Sequence, residues 1–183
     1  MMKNMPKTIK YSLSLVILGI IAGVLLAYVN SITAPIITAR EEAELKEVLE
    51  SYFVCDKFSD VTADYELDKG IEKVYFGYID NVLSLVIYQA SANGYAGKVT
   101  SLVGIDLSTD KIVDVPVANA DSETSGIGSL VVGHDFGLAG KNIGDYEFEV
   151  IAGATVSSKA VKNSLETAIN HYLKNKDLFV KGS

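Results

Sequence analysis

The stretch VYFGYIDNVLSLVIYQA, residues 74–90, decides the fold class. Residues 74–80 and 82–90 each follow the alternating pattern of half-buried β-strands and are rich in Val, Ile, Leu and Tyr. Asp80-Asn81 between them is a turn signal. We therefore predict two antiparallel strands joined by a tight turn.

Further strand patterns lie downstream of this hairpin. Residues 98–107 and 111–117 predict a third and a fourth strand, with a tight turn between them. Residues 118–144 are rich in Gly, Ser and Asp and lack periodicity, which is typical of an irregular functional loop. Residues 147–152 predict one last short strand.

A helix is predicted on each side of the strands. The C-terminal helix runs from residue 157 to 175, and one face of it carries an apolar side chain at every fourth position: Val161, Leu165, Ile169 and Leu173. The other helix runs from 38 to 53, where Thr38 and Glu41 match a capping box. The order helix, strands, helix predicts an α+β domain with an antiparallel sheet.

An uncharged apolar segment of 19 residues, Tyr11 to Val29, precedes the domain. A helix of that length extends about 28 Å, which matches the hydrocarbon core of a membrane. Three lysines precede it and acids begin only at Glu41, so the positive-inside rule places the N-terminus in the cytoplasm and the domain outside. We predict a single-pass anchor in the cell membrane; the lysines are Lys3, Lys7 and Lys10.

Two other interpretations of this segment stay open. A cleaved signal peptide has a shorter apolar region followed by a small-residue cleavage site, which is missing here. A pilin-like subunit would carry an acid early in the apolar run, where this chain has none.

Pro35 is expected to break or kink the helix within a short linker, residues 30–38. The predicted organisation is 1–37 for N-terminus, anchor and linker, and 38–183 for the soluble domain.

Composition narrows the function classes. The net charge is −7 and the first 37 residues carry +3, so the domain carries −10, which disfavours binding to nucleic acid. Cys55 is the only cysteine, which excludes an internal disulfide and a multi-cysteine metal or iron–sulfur site. His134 and His171 lack ligand spacing, so no zinc site is predicted. The G-x-S-x-G motif of hydrolases is absent, and no catalytic residue is assigned.

Three glycine-containing segments stand out: GYAGKV (94–99), DSETSGIGS (121–129) and IAGATVSS (151–158). In the last of them a predicted strand ends near Gly153, and the predicted helix begins with the hydroxyl residues Thr155, Ser157 and Ser158. The first N–H groups of a helix lack partners and lie at the positive end of its dipole, so this place suits a phosphate. An ordinary helix cap explains the same residues, because Ser and Thr are favoured there.

Together the three segments resemble the FMN-binding domain of the Rnf complex G subunit and the related Nqr complex C subunit. GYAGKV resembles the family's G-Y-x-G-x-[IV], SETSGIGS resembles E-T-P-G-[IL]-G, and AGAT (152–155) with the following Val-Ser-Ser resembles the flavinylation motif D-x-x-[ST]-G-A-T. The resemblance extends to the anchor and to the order of the segments. The chain departs from these motifs at four positions: Asp121, Ser125, Glu149 and Ala152.

The resemblance implies a redox subunit. In this family FMN is esterified through its phosphate to the threonine of G-A-T, here Thr155, by a separate flavin transferase that uses FAD. The flavin then carries electrons within a membrane complex that couples ferredoxin–NAD oxidoreduction to ion pumping, so the chain would not be catalytic alone. The other implied FMN-binding residues are Gly94, Tyr95, Glu123, Thr124, Gly126, Gly128, Gly153, Ala154, Ser157 and Ser158.

Two alternatives to this function stay open. The flavin domain could serve a different extracellular electron-transfer chain. The chain could also be a membrane-anchored binding module without a cofactor, in which the glycine segments are turns and AGAT is a helix cap. Tyr95 is equally a candidate core aromatic.

Overall fold

The structure is a computed structural model that describes residues 7–181. Within that range it forms two α-helices and six β-strands: α1 (Lys7–Tyr52), β1 (Lys57–Asp60), β2 (Ile71–Ile79), β3 (Val82–Asn93), β4 (Lys98–Asp106), β5 (Lys111–Asp114), β6 (Val117–Asn119) and α2 (Thr155–Lys181). Short 3-10 helices lie at Thr62–Asp64 and Gly128–Val131. Backbone packing divides the chain into two units, Met1–Glu44 and Leu45–Ser183.

The N-terminal unit contains most of α1, which is long and apolar enough to cross a membrane. The single N-terminal apolar helix predicted from the sequence is therefore confirmed. Lys3, one of the three lysines in the topology argument, lies outside the described residues.

The predicted break at Pro35 is wrong, because α1 continues through this residue. Pro35 removes the helical hydrogen bond to the carbonyl of Ser31, a loss that membrane-spanning helices tolerate. The hydroxyls of Thr33 and Thr38 donate to the carbonyl oxygens of Val29 and Ala34, at 3.0 and 3.1 Å. Thr38 is therefore a residue inside the helix and does not cap a second one.

The sheet of the second unit is antiparallel, in the order β1-β2-β3-β4-β5, with β6 also paired to β4. In the β2–β3 hairpin Ile79 pairs with Val82. The intervening Asp80 and Asn81 have φ angles of 51° and 61°, the left-handed values that a tight two-residue turn requires. The hairpin predicted from residues 74–90 is confirmed, and so is the α+β class predicted from the order helix, strands, helix.

Each face of the sheet is covered by a helix. On one face Val86 and Tyr88 of β3 pack in a buried cluster with Leu165 and Tyr172 of α2. On the other face the last turns of α1 place a buried Phe53 over the sheet, in a cluster with Leu49, Tyr75, Leu85, Ile87 and Leu102. The sheet therefore has a core on both sides, and α2, which begins at Thr155, is held rigidly against it.

Two other expectations, both about strands, need correction, and two features of the fold were not predicted. The predicted fourth strand stops at Asp114, because Pro116 has no N–H to donate, and the chain resumes pairing as β6. No strand forms at residues 147–152, where Phe148 instead stacks on Phe136 with 4.8 Å between ring centroids. The short edge strand β1 and the full length of α2 were not predicted.

Candidate functional site

The carboxylate of Glu123 joins the three glycine-containing segments. This side chain is 7% exposed. Its Oε1 accepts hydrogen bonds from the backbone N–H groups of Ala96 and Gly97, at 3.0 and 3.3 Å. Its Oε2 accepts a hydrogen bond from the hydroxyl of Ser157 at 2.5 Å. Residues separated by more than 25 positions in the sequence thus meet at one buried group.

Two motif glycines make room for this carboxylate. A Cβ atom at Gly94 would run into Oε1 of Glu123, and one at Gly128 would run into Oε2. The added Cβ at Gly128 would also lie 3.0 Å from the Ser157 hydroxyl. We call the group formed by Gly94, the backbone of residues 95–97, Glu123, Gly128 and Ser157 the carboxylate knot. Its glycines are needed for close packing.

Glu123 is held in its charged form. Burial alone would raise the pKa of this carboxyl group. Hydrogen bonds from the Ser157 hydroxyl and from the backbone N–H groups of Ala96, Gly97 and Tyr95 outweigh burial and hold the pKa below its usual value. The backbone donors also require an acceptor, and ionised carboxylate oxygens act only as acceptors.

The first segment is the turn of the β3–β4 hairpin. Asn93 pairs with Lys98, and the N–H of Gly94 donates to the carbonyl of Gly97 at 2.7 Å. This leaves Tyr95 at the tip, where its side chain is 75% exposed. The alternative that Tyr95 is a core aromatic is therefore wrong, and its ring is available to a ligand.

The second segment continues from Glu123 into an exposed turn. The carbonyl of Thr124 accepts hydrogen bonds from the N–H groups of Ile127 and Ser129, both at 3.2 Å. Gly126 has a φ of 76°, and its N–H donates to the Ser129 hydroxyl at 3.0 Å. Thr124 and Gly126 are exposed, whereas Gly128 is buried against Glu123.

The third segment is a turn that leads into α2. The N–H of Ala154 donates to the carbonyl of Ile151 at 3.0 Å, and Gly153 has the φ of 84° that a type II turn needs at its third position. The carbonyl of Ala154 then accepts the first helical hydrogen bond, from Ser158 N at 2.9 Å. Ala154 is thus the N-cap residue of α2.

An alanine at the N-cap offers no side-chain acceptor to the first turn of the helix. Within residues 7–181, no protein acceptor is found for the N–H groups of Thr155, Val156 and Ser157. The first turn also contains no acidic residue. Ser and Thr therefore do not cap this helix in the ordinary way, and its positive end remains open to an anion.

The three hydroxyl residues at this helix end are placed differently. Thr155 is exposed as the first residue of α2. Ser157 and Ser158 are 1% and 0% exposed; the Ser157 hydroxyl donates to Glu123, and the Ser158 oxygen accepts from the N–H of Ile151 at 3.1 Å. Both serines hold the turn in place, so Thr155 alone presents its hydroxyl to a ligand.

These features fit the FMN that the resemblance implies. The exposed Thr155 and the unpaired N–H groups suit a phosphoryl group. Large apolar side chains are exposed on each of the three segments that meet at the knot: Tyr95 (75%), Ile127 (51%) and Val156 (47%). Such side chains suit a flat aromatic ring system. The site therefore offers both an anion-binding and an apolar part.

The remaining reactive residue types lie elsewhere. His171 is buried, with Nε2 3.0 Å from the carbonyl oxygen of Glu66, and His134 lies edge-on to Phe136. Cys55 is half-buried, and burial raises the pKa of its thiol. Among residues 7–181 no group of His, Cys, Asp and Glu is arranged to hold a metal ion.

Sequence reasoning missed the role of Glu123 as the joining group and the role of Ala154 as the N-cap. The only sequence signal for the role of Glu123 was the pair of glycines at 94 and 128, each of which lies too close to its carboxylate to carry a side chain. For the second, no signal existed, because Ala is the least typical of N-cap residues.

Two comparisons bear on the identity of this site. A sequence model described as the FMN-binding domain matches residues 94–170, which include all eleven predicted FMN-binding residues. A second, described as the RnfG N-terminal region, matches residues 1–51. Among curated proteins, none matches the chain.

Proposed function

Since the chain belongs to the family of the Rnf complex G subunit and the Nqr complex C subunit, and is thus a membrane flavoprotein of electron transport, we propose that it carries FMN as a phosphoester on Thr155. We further propose that it works in an Rnf-type complex coupling ferredoxin–NAD oxidoreduction to ion transport. Family membership places it in a multi-subunit complex.

The observation that carries the proposal is the exposed Thr155 at an uncapped helix N-terminus. A phosphodiester keeps one negative charge, and the unpaired N–H groups of residues 155–157 can donate to it. The helix dipole favours an anion there by about 0.3–1 kcal/mol. Thr155 is also the one hydroxyl of the segment that a transferase could approach, because Ser157 and Ser158 are buried.

Attachment would be the work of a separate flavin transferase. The Thr155 oxygen attacks the phosphorus of the FMN half of FAD, the bond between the two phosphates breaks, and AMP leaves. The hydroxyl proton passes to a base of the transferase. The flavin then supplies electron transfer, and the protein's part is to hold it and to set its potential.

The other predicted residues would serve the ring and its chain. Tyr95 and Thr124 are exposed and free to contact the ring or the ribityl chain, together with the backbone at Gly126. Gly153 and Ala154 shape the turn that presents Thr155. The buried residues of the carboxylate knot would support the site by holding the three segments together; these residues are Gly94, Glu123, Gly128 and Ser157.

The proposed location follows from the anchor. We assign residues 1–37 to the cytoplasmic N-terminus and the anchor in the cell membrane, and 38–183 to an FMN-binding domain outside the cytoplasm. A covalent link is useful in that position, because a freely dissociating flavin would be lost from the cell. Partners would be the membrane subunits of the complex.

Intact mass of the full chain, made together with a flavin transferase, tests the proposal. The wild-type protein should gain the mass of one FMN less one water and should fluoresce in a denaturing gel. Thr155→Ala should lose both signals, because no other hydroxyl of the segment is exposed.

Thr124→Ala is the matched control, since Thr124 is also exposed and lies on the neighbouring segment. It should keep the label. A wild-type protein without added mass would refute the proposal and favour a cofactor-free module. Label that persists in Thr155→Ala would place the linkage elsewhere.

A further inference from the structure

Among the described residues 7–181, no cation contacts the charged carboxylate of the knot. The contacts of Glu123 within residues 7–181 are neutral donors: one hydroxyl and the backbone N–H groups of residues 95–97. Lys98, the basic residue next to these donors in sequence, pairs instead with Glu72 at 3.4 Å. The knot therefore keeps a full negative charge in a buried position.

This charge lies close to the proposed flavin attachment point. The Oε2 atom is 2.5 Å from the Ser157 hydroxyl, and Ser157 is two residues beyond Thr155 in α2. Two helical residues correspond to about 3 Å of rise and about 200° of rotation, so the carboxylate is within roughly 10 Å of the Thr155 hydroxyl although the two side chains leave the helix on different sides. The flavin ring is proposed to lie against Tyr95, and the backbone N–H groups of residues 95–97 donate to the same carboxylate, so the ring is near the charge as well. A buried charge at such a distance is screened much less than an exposed one.

A nearby negative charge disfavours the addition of electrons to a flavin. We infer that Glu123 is a positioning residue with an electrostatic role: its buried carboxylate joins the three segments and lowers the midpoint potential of the flavin on Thr155. This inference rests on the proposed function. Under this inference Glu123 does not contact the flavin, and its buried charge affects the flavin electrostatically, at a distance.

The geometry offers a variant that removes the charge and keeps the fold. In Glu123→Gln the amide oxygen can still accept from Ala96 and Gly97, and the amide nitrogen can donate to the Ser157 oxygen. A merely structural role for Glu123 would leave the potential of this variant unchanged. The positive end of α2 partly offsets the charge, but it is present in both proteins and cancels in the comparison.

The experiment is a spectroelectrochemical titration of the flavin in the FMN-loaded full chain in detergent. Glu123→Gln should have a more positive midpoint potential than the wild type. Glu149→Gln is the matched control, because Glu149 is an exposed acid six residues before Thr155 in sequence. Its shift should be smaller and should disappear at high salt, whereas the shift of Glu123→Gln should persist.

A second variant covers the case that Glu123→Gln does not fold. Ser157→Ala removes one donor and should raise the pKa of Glu123. The flavin potential of every variant rises as the pH falls because reduction takes up protons, but that of Ser157→Ala should rise more steeply than that of the wild type where Glu123 becomes protonated. Covalent flavin with unchanged potential in Glu123→Gln, or the same dependence of potential on pH in Ser157→Ala as in the wild type, overturns this inference alone. Absence of covalent flavin from the wild type, checked by mass in the same samples, overturns the proposed function as well.

Discussion

The two glycines of the second segment should respond differently to substitution. A Cβ at Gly128 would overlap Oε2 of Glu123 and lie 3.0 Å from both the Glu123 Cβ and the Ser157 hydroxyl. A Cβ at Gly126 would have no atom within 4 Å, but Gly126 has a φ of 76°. Gly128→Ala therefore tests steric packing at the carboxylate knot, and Gly126→Ala tests backbone conformation only.

The magnitudes follow from these two causes. Overpacking of a buried site costs about 1–3 kcal/mol. Loss of a hydrogen bond to a charged group adds about 1.5–3 kcal/mol, since Glu123 must move away from Ser157. Gly128→Ala should therefore lower the free energy of unfolding by about 2.5–6 kcal/mol. Gly126→Ala should lower it by about 1 kcal/mol, the cost of a left-handed alanine.

Thermal unfolding of the full chain in detergent, followed by far-ultraviolet circular dichroism, measures both effects. At about 3–5 °C per kcal/mol for a domain of this size, the melting temperature should fall by about 8–30 °C in Gly128→Ala and by about 3–5 °C in Gly126→Ala. Gly126→Asn should be milder than Gly126→Ala, because Asn adopts the left-handed conformation more readily. Equal losses in the two alanine variants would refute the close packing of Gly128 against Glu123.

Two further predictions concern the ion pair on α2 and the membrane topology. Lys176 and the Tyr172 hydroxyl hold the pKa of Asp110 in the folded protein below its usual value. The interactions of the Asp110 carboxylate therefore stabilise the fold fully above its pKa in the unfolded chain, about 3.9, and this stabilisation is lost as the pH falls through its lower pKa in the folded protein. Urea unfolding at a series of pH values should show wild-type stability falling below about pH 4, and Asp110→Asn should fall less; parallel curves would argue against this role. For the topology, Ala139→Cys in a Cys55→Ser background should react with a membrane-impermeant maleimide on intact cells, since residue 139 is exposed. Labelling that requires lysis would place the domain in the cytoplasm.

The sequence predicted the parts of the fold whose signals are local. Alternation in residues 74–90 and the Asp80-Asn81 turn are local, and the β2–β3 hairpin formed as expected. Phe148 shows the limit: its alternating neighbours suggested a strand, but the segment lies over the core as a loop because Phe148 stacks on Phe136. Pro35 shows a second limit of local signals. The free-energy cost of one proline is small compared with the stabilisation from the helical hydrogen bonds on both sides of it, so α1 continues through Pro35.

The candidate site was predicted as a set of residues, but their division of labour was not. Glu123 and Ser157 appeared to be ligand contacts because they belong to motifs that resemble a flavin site. Their mutual hydrogen bond spans 34 residues, and no local pattern can reveal a pairing over that distance. The exposure of Tyr95 was open for the same reason, because a hairpin tip and a buried strand end can share one sequence.

The carboxylate knot gives a physical reason why three separate motifs occur together. The hairpin turn supplies N–H donors, the second segment supplies Glu123, and the third supplies the Ser157 hydroxyl, while Gly94 and Gly128 leave the space that the carboxylate fills. If the first or the third segment is changed, the buried charge of Glu123 loses a donor, and if Glu123 is changed, both of the other segments lose their acceptor; either loss is more costly than the loss of an exposed contact. The motifs therefore act as one unit, and what remains on the outer surface is Thr155, the open helix end and the exposed apolar side chains. That division assigns the buried motif residues to geometry and charge, and it leaves Thr155 as the exposed hydroxyl at the open end of α2, where a phosphoester would have the N–H donors that an anion needs.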